Sequence, residues 1–165
     1  MILTVILFVI LADILTKYLV VQLLVPLERS VVVIPRVLDF TFVKNTGAAF
    51  GILSDYRWVF MTISVIFIVV LSIVLVKSNI KNKLFNISVA MILGGGIANM
   101  IDRIFLGYVV DFIEFTFVDF AVFNVADSCI TVGAVLALVY FVFFDKENFT
   151  SSKKQVACDD KPSDE

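Results

Sequence analysis

The stretch ILTVILFVILADILTKYLVVQLLV, residues 2–25, decides how the rest of the chain is read. It has the 17–25 mainly apolar residues, roughly, that a helix needs to cross a bilayer, and its only charges are Asp13 and Lys17. A cleaved signal peptide would begin with basic residues and end at a small-residue cleavage site, and both are missing. The segment is therefore expected to stay attached as a membrane span. Three further apolar runs, residues 58–76, 84–101 and 121–144, have similar length. Helices are the expected element, because lipid leaves backbone polar groups unsatisfied and the alternation of a spanning barrel is absent. The fold class expected is an all-α membrane protein: four transmembrane helices with a small extracytoplasmic β-sheet and loop.

Composition agrees. Of 165 residues, 61% are hydrophobic and 17% charged, and 13 Lys plus Arg against 15 Asp plus Glu give a net charge of −2. Such a balance lacks the basic surface that a nucleic-acid partner would need, so lipid is the partner implied and no nucleic acid is expected. Histidine is absent, which removes Ser-His-Asp triads, Cys-His pairs and His-ligated metal sites. Cys129 lies in an apolar run and Cys158 in a polar tail, a poor arrangement for zinc or a disulfide.

Lysines orient the spans. Lys77, Lys81 and Lys83 crowd the turn between the second and third runs, and Lys146, Lys153 and Lys154 follow the fourth, so both segments are expected in the cytoplasm with both termini. The segment after the third run has Arg103 among Asp102, Asp111, Glu114 and Asp119 and is expected outside. The first outer loop, with Arg29, Arg36, Lys44 and Arg57 spread along it, must then face the same way. It carries a β-branched run from Ser30 to Ile34. Beyond Pro35, Leu38, Phe40 and Phe42 alternate with Asp39, Thr41 and Val43. Two short strands are predicted there. The aromatic segment with Phe112, Phe115, Phe117 and Phe120 is expected to lie against that sheet or among the headgroups. Residues 1–148 read as a single integral membrane domain and 149–165 as a disordered cytoplasmic tail.

Ionisable side chains inside a span cost on the order of 2.5–3.5 kcal/mol at its centre. Here they gather at one depth, towards the outer face. Asp13 and Lys17 are four residues apart, close enough to pair on one helix face. Asn99, Asp102 and Arg103 end the third run, and Asn124, Asp127, Ser128 and Thr131 begin the fourth, all at helical spacing. Mutual neutralisation accounts for Asp13 with Lys17 and for Asp102 with Arg103. Close helix packing accounts for Gly94, Gly95 and Gly96 followed by Ala98. Asp111 and Asp127 are left over, each beside apolar residues and without a basic neighbour in sequence. Two carboxylates in a poorly solvated site can share a proton and act as general acid and base. Residue types alone leave three chemistries open: hydrolysis by an aspartate pair, a proton or ion pathway through the same aspartates, and a serine hydrolase using Ser128 with Lys17 as base.

Taken in order, the polar clusters form a series: Asp13-Ile14-Leu15-Thr16-Lys17, Asn45-Thr46-Gly47-Ala48-Ala49-Phe50, the run from Gly94 to Arg103, Val109-Val110-Asp111-Phe112 and Phe123-Asn124-Val125-Ala126-Asp127. This series resembles the motif set of the lipoprotein signal peptidases, also called signal peptidase II, in order, spacing and topology over roughly residues 8–144. One departure is Ala98, where the family usually has glycine. The resemblance implies a bacterial inner-membrane aspartic endopeptidase that removes signal peptides from diacylglyceryl-modified prolipoproteins, with its site near the outer face. Asp111 and Asp127 look like the catalytic pair. Asn45, Asn99, Arg103 and Asn124 look like the supporting shell and Gly47 like a turn residue. Asp13 with Lys17 is similar to the family's structural pair near the site, and Asp102 is counted among the supporting residues. The resemblance also implies inhibition by cyclic lipopeptides of the globomycin type; a monomer is expected, and no metal or cofactor, since the aspartates with their amide neighbours supply no recognisable ligand set.

Overall fold

The computed structural model describes residues 1–26, 30–47, 57–77, 80 and 82–144. Several sequence expectations fall outside these residues: the basic residues Arg29, Lys81, Lys146, Lys153 and Lys154, the stretch Ala48 to Phe50, Cys158 and the tail.

Four long helices and three strands follow in the order α1 (Ile2–Leu24), β1 (Val31–Ile34), β2 (Leu38–Asn45), α2 (Arg57–Lys77), α3 (Lys83–Phe105), β3 (Val109–Phe115) and α4 (Val125–Phe143). The chain is a mostly helical membrane protein. α1, α3 and α4 are long and apolar enough to cross a bilayer, and α2 contributes a shorter apolar stretch, Met61–Lys77. Large apolar side chains such as Leu3, Leu7, Phe8 and Leu11 on α1, and Val135, Leu138 and Phe143 on α4, lie exposed. In water such a surface would aggregate, and in lipid it is solvated.

α3 is the hub of the bundle, in contact with α1, α2 and α4. Its glycines set how near the neighbours come. A Cβ on Gly94 would stand 2.9 Å from Cβ of Val9 on α1, and one on Gly95 would collide with the Ala126 carbonyl at the start of α4. Further along, a Cβ on Gly133 of α4 would lie 2.7 Å from the Ser88 carbonyl of α3. Without a hydrophobic force between helices in lipid, such close backbone approach supplies the dispersion contacts that hold a bundle together. The helices reach a few residues further, or stop a few earlier, than the apolar runs suggested. α3 continues to Phe105 because Asp102 and Arg103 are accommodated inside the protein.

The sheet is antiparallel in the order β1-β2-β3. The two strands expected on either side of Pro35 are present, and the turn between them takes Arg36 through a positive φ of 63°. The third strand was not expected. β3 pairs with β2 so that Val43 faces Asp111 and Asn45 faces Val109, with an irregularity between Phe40 and Val43. Gly107, at φ 89°, makes the turn from α3 into β3, a conformation that side chains with a Cβ resist. Phe112 on β3 then packs with Val20 and Leu24 of α1 and against Phe40, which seats the sheet on one end of the bundle.

Candidate active site

Each polar cluster of the sequence reaches the same end of the bundle by a local rule. On α3, Asn99, Asp102 and Arg103 project at helical spacing, and on α1 Asp13 and Lys17 stand one turn apart. α4 begins with a capping box. The Asn124 side chain accepts the Asp127 N–H at 2.9 Å while Asp127 Oδ2 accepts the Asn124 N–H at 3.3 Å. Asp127 is thus held at the first turn of a membrane helix, and Asp111 as the third residue of β3.

Three asparagine amides tie these groups together. Asn45 Nδ2 donates to Asp111 Oδ2 at 2.8 Å and Asn124 Nδ2 to Asp111 Oδ1 at 2.7 Å. Asn99 Nδ2 donates to Asp127 Oδ1 at 2.7 Å. Asn124 Nδ2 also approaches Asn99 Oδ1 at 3.1 Å, which links the two aspartate environments directly. Asn45 Oδ1 accepts the Gly47 N–H at 3.0 Å, so the turn at Gly47 holds the Asn45 amide towards Asp111. Asp111 is 1% exposed, and burial pushes its pKa up to about 6. The charge of Asp127 adds to that rise, while the hydrogen bonds from Asn45 and Asn124 and the charge of Lys17 oppose it.

Both carboxylates line one cleft of about 450 Å³, together with Asn45, Asn99, Arg103 and Ser128. Its apolar wall is formed by Phe115, Phe120 and Phe123, whose rings touch one another at centroid distances of 5.4–6.4 Å. Phe115 and Phe120 belong to the aromatic segment noted in the sequence. Their place at the cleft follows from β3 and from the bridge between Ile113 and Phe123, which the alternation of that segment was too short to reveal.

Two sequence readings need correcting. Asp102 does not pair with Arg103. Consecutive helical residues point about 100° apart, and Asp102 turns to α1, where Lys17 lies 2.8 Å from it and 2.7 Å from Asp13. Arg103 instead lines the cleft, within electrostatic reach of Asp127, Asp111 and Asp102, with Nη1 3.4 Å from the Asn99 carbonyl. The serine route also lacks its base. Lys17 is buried among Asp13, Asp102 and Asn99, and the Ser128 hydroxyl donates to the Asn124 carbonyl at 2.9 Å. Among the described residues, no three His, Cys, Asp or Glu side chains are grouped to hold a metal.

Residues 5–143 match the family model described as "Signal peptidase (SPase) II". The chain belongs to the signal peptidase II family. Members of the family are proteases, and relatives carry the same assignment. The lipoprotein signal peptidase of Caldanaerobacter subterraneus subsp. tengcongensis is 50% identical over 140 residues, 83% of this chain and 92% of that protein. The lipoprotein signal peptidase of Lactobacillus johnsonii is 41% identical over 143 residues, 86% of this chain and 92% of that protein. A solved structure described as a bacterial membrane enzyme, obtained by the in meso method at 2.3 Å, superposes with a TM-score of 0.79 at 32% identity, covering 89% of this chain and 90% of that one. The bundle with its small sheet is thus similar in fold to a solved bacterial membrane enzyme.

Proposed function

We infer that this signal peptidase II family member is an aspartic endopeptidase that cleaves the signal peptide from diacylglyceryl-modified prolipoproteins on the amino side of the lipidated cysteine. One arrangement carries the reading: Asp111 and Asp127 line a single cleft and are joined through the amides of Asn99 and Asn124. One aspartate, ionised, takes a proton from a water; the water attacks the scissile carbonyl. The protonated partner donates a hydrogen bond to the tetrahedral oxygen and then a proton to the leaving amine. The asparagines donate to the carboxylate oxygens and so fix their rotamers, and Arg103 supplies positive charge at the cleft wall. No metal or cofactor takes part.

The cleft's setting suits this substrate. In this reading α1 to α4 are four spans, both termini are cytoplasmic, and the sheet with the site faces outward, where the diacylglyceryl chains of the substrate lie. Residues 1–148 act as one membrane domain, a monomer, with residues 149–165 as a cytoplasmic tail. Cyclic lipopeptides of the globomycin type would occupy the same cleft. An ion pathway is disfavoured by the opposite half of the bundle, where Phe85, Val89, Leu93 and Tyr140 form a buried cluster. The buried Ser88 hydroxyl nearby is turned onto the Phe85 carbonyl of its own helix at 2.8 Å.

The test is cleavage of lipidated and unlipidated prolipoprotein by purified Asp111→Asn and Asp127→Asn. Each variant is expected to lose at least about 1,000-fold in kcat, as removal of a reacting group does, while still inserting and folding. Only the lipidated substrate should be cleaved by the unaltered chain. Near-normal cleavage by either variant would sink the pair.

A further inference from the structure

The ion cluster of Asp13, Lys17 and Asp102 lies outside the walls of the cleft, yet its hydrogen bonds lead to it. Lys17 Nζ contacts Asp13 Oδ2 at 2.7 Å, Asp102 Oδ2 at 2.8 Å and Asn99 Oδ1 at 3.0 Å, which commits all three of its hydrogens. Asp13 Oδ1 accepts the N–H of Ala126 at 2.8 Å, and Ala126 immediately precedes Asp127. Asp102 Oδ2 accepts the N–H of Val110 at 3.2 Å, and Val110 immediately precedes Asp111. Asn99, its carbonyl oxygen engaged by Lys17 and Asn124, has its NH2 group left to face Asp127. A cluster that merely joined α1 to α3 would have no need to hold the backbone one residue ahead of each site aspartate.

We propose that Lys17 is a positioning residue for the aspartate pair: through Asp13 it fixes the start of α4, through Asp102 the entry of β3, and through Asn99 the amide that bonds Asp127. The proposal rests on the aspartate-pair reading above. Removing the ammonium would leave Asp13 and Asp102 as uncompensated buried carboxylates and free the Asn99 amide to rotate. The charged groups facing this region are Asp13 on α1, Asp102 and Arg103 on α3, Asp111 on β3 and Asp127 on α4; Lys44 on β2 is turned to the Tyr108 ring, 5.3 Å from its centroid. Because Lys17 draws the Asp111 carboxyl towards its ionised form, its loss should also move the pH profile upward.

The experiment compares full-length Lys17→Met with the unaltered chain on lipidated prolipoprotein, normalised to folded enzyme. Misplacement of the pair should lower kcat roughly 100-fold while KM stays within about threefold, and the alkaline limb of kcat/KM should shift to higher pH. A normal kcat per folded molecule with an unmoved pH profile overturns the proposal. A second cavity of about 300 Å³, lined by Lys17, Asp102, Tyr18 and Val110, adjoins the cluster and gives room for a chemical rescue. In Lys17→Ala, propylammonium should restore kcat at least about tenfold by re-forming the charge-assisted hydrogen bonds, whereas no restoration counts against the proposal. If neither lysine variant accumulates, Asp13→Asn, which keeps an acceptor for Ala126, should exceed Asp13→Ala at least about tenfold in kcat, and equal rates overturn the idea. Asp111→Asn and Asp127→Asn run in parallel separate the two failures: if they remain active, the pair itself is wrong, whatever Lys17 does.

Discussion

The two ends of this bundle are built on opposite principles. At the sheet end, α1, α3, β3 and α4 meet through Asp13, Lys17, Asn99, Asp102, Asp111 and Asn124, all buried. At the far end, α3 and α4 meet through Phe85, Val89, Leu93 and Tyr140, with Ile6, Ile68 and Leu71 packed around them. Apolar packing at the far end tolerates small shifts, since dispersion has no preferred direction. A buried polar network does not, because each displaced donor or acceptor loses its partner and its solvation together. The bundle concentrates directional bonds where atoms must be held to a fraction of an ångström and leaves the remainder to packing.

That contrast can be broken most sharply by Asn124→Ala. It removes the cap of α4 and the donor to Asp111 at once, and kcat should fall at least about 100-fold, measured per folded molecule. Phe85→Ala at the other end should do the reverse: a loss of about 3–5 kcal/mol in stability, seen as a lower unfolding midpoint, with kcat per folded molecule nearly unchanged. If Phe85→Ala slowed cleavage as much as Asn124→Ala, the two ends would not be separable.

The glycines sharpen the same comparison in the middle of α3. Gly95→Ala pushes a methyl into the Ala126 carbonyl, next to Asp127, and should cost about 1–3 kcal/mol of stability as well as activity. Among the described residues, the methyl of Gly96→Ala meets Ile68 alone, at 3.6 Å, and the variant should be neutral or gain up to about 1 kcal/mol from helix propensity. Thermal unfolding in one detergent would rank the pair.

A smaller effect is expected along the pH axis. The pair needs one proton, and the Asp111 value of about 6 lies above the ordinary 3.8 for aspartate. The proton is therefore held below about 6 and lost as pH rises through it, which puts the alkaline limb of kcat/KM for the free enzyme near 6. That limb belongs to the coupled pair. The smallest change should come from Ser128→Ala, with kcat within about threefold if the hydroxyl serves only its helix.

Much of this arrangement was legible in the order of residues. The long apolar runs appear as helices because lipid permits little else, and the polar residues at helical spacing converge on one end. What stayed hidden was everything that depends on direction in space. Asp102 and Arg103 are neighbours in the chain but leave the helix on different sides, so the ion pair with Lys17 could not be read from adjacency. β3 was missed because its buried segment Val109 to Phe112 lacks the alternation of a half-exposed strand. Phe123 reaches the cleft through backbone bonds to Ile113, for which the sequence carries no local signal.

The capping box of α4 has a mechanical side. Asp127 is the third residue of a helix whose flanks are exposed to hydrocarbon, and one of its oxygens closes that helix's first turn. Asp111 sits on a strand, anchored to the sheet. A helix in a thinner or thicker bilayer accommodates the mismatch partly by tilting. Any such tilt of α4 pulls first on the Asn124 bond to Asp111 and on the backbone bonds between Phe123 and β3, so the polar joint at the helix start sets how far the membrane can displace one carboxylate from the other.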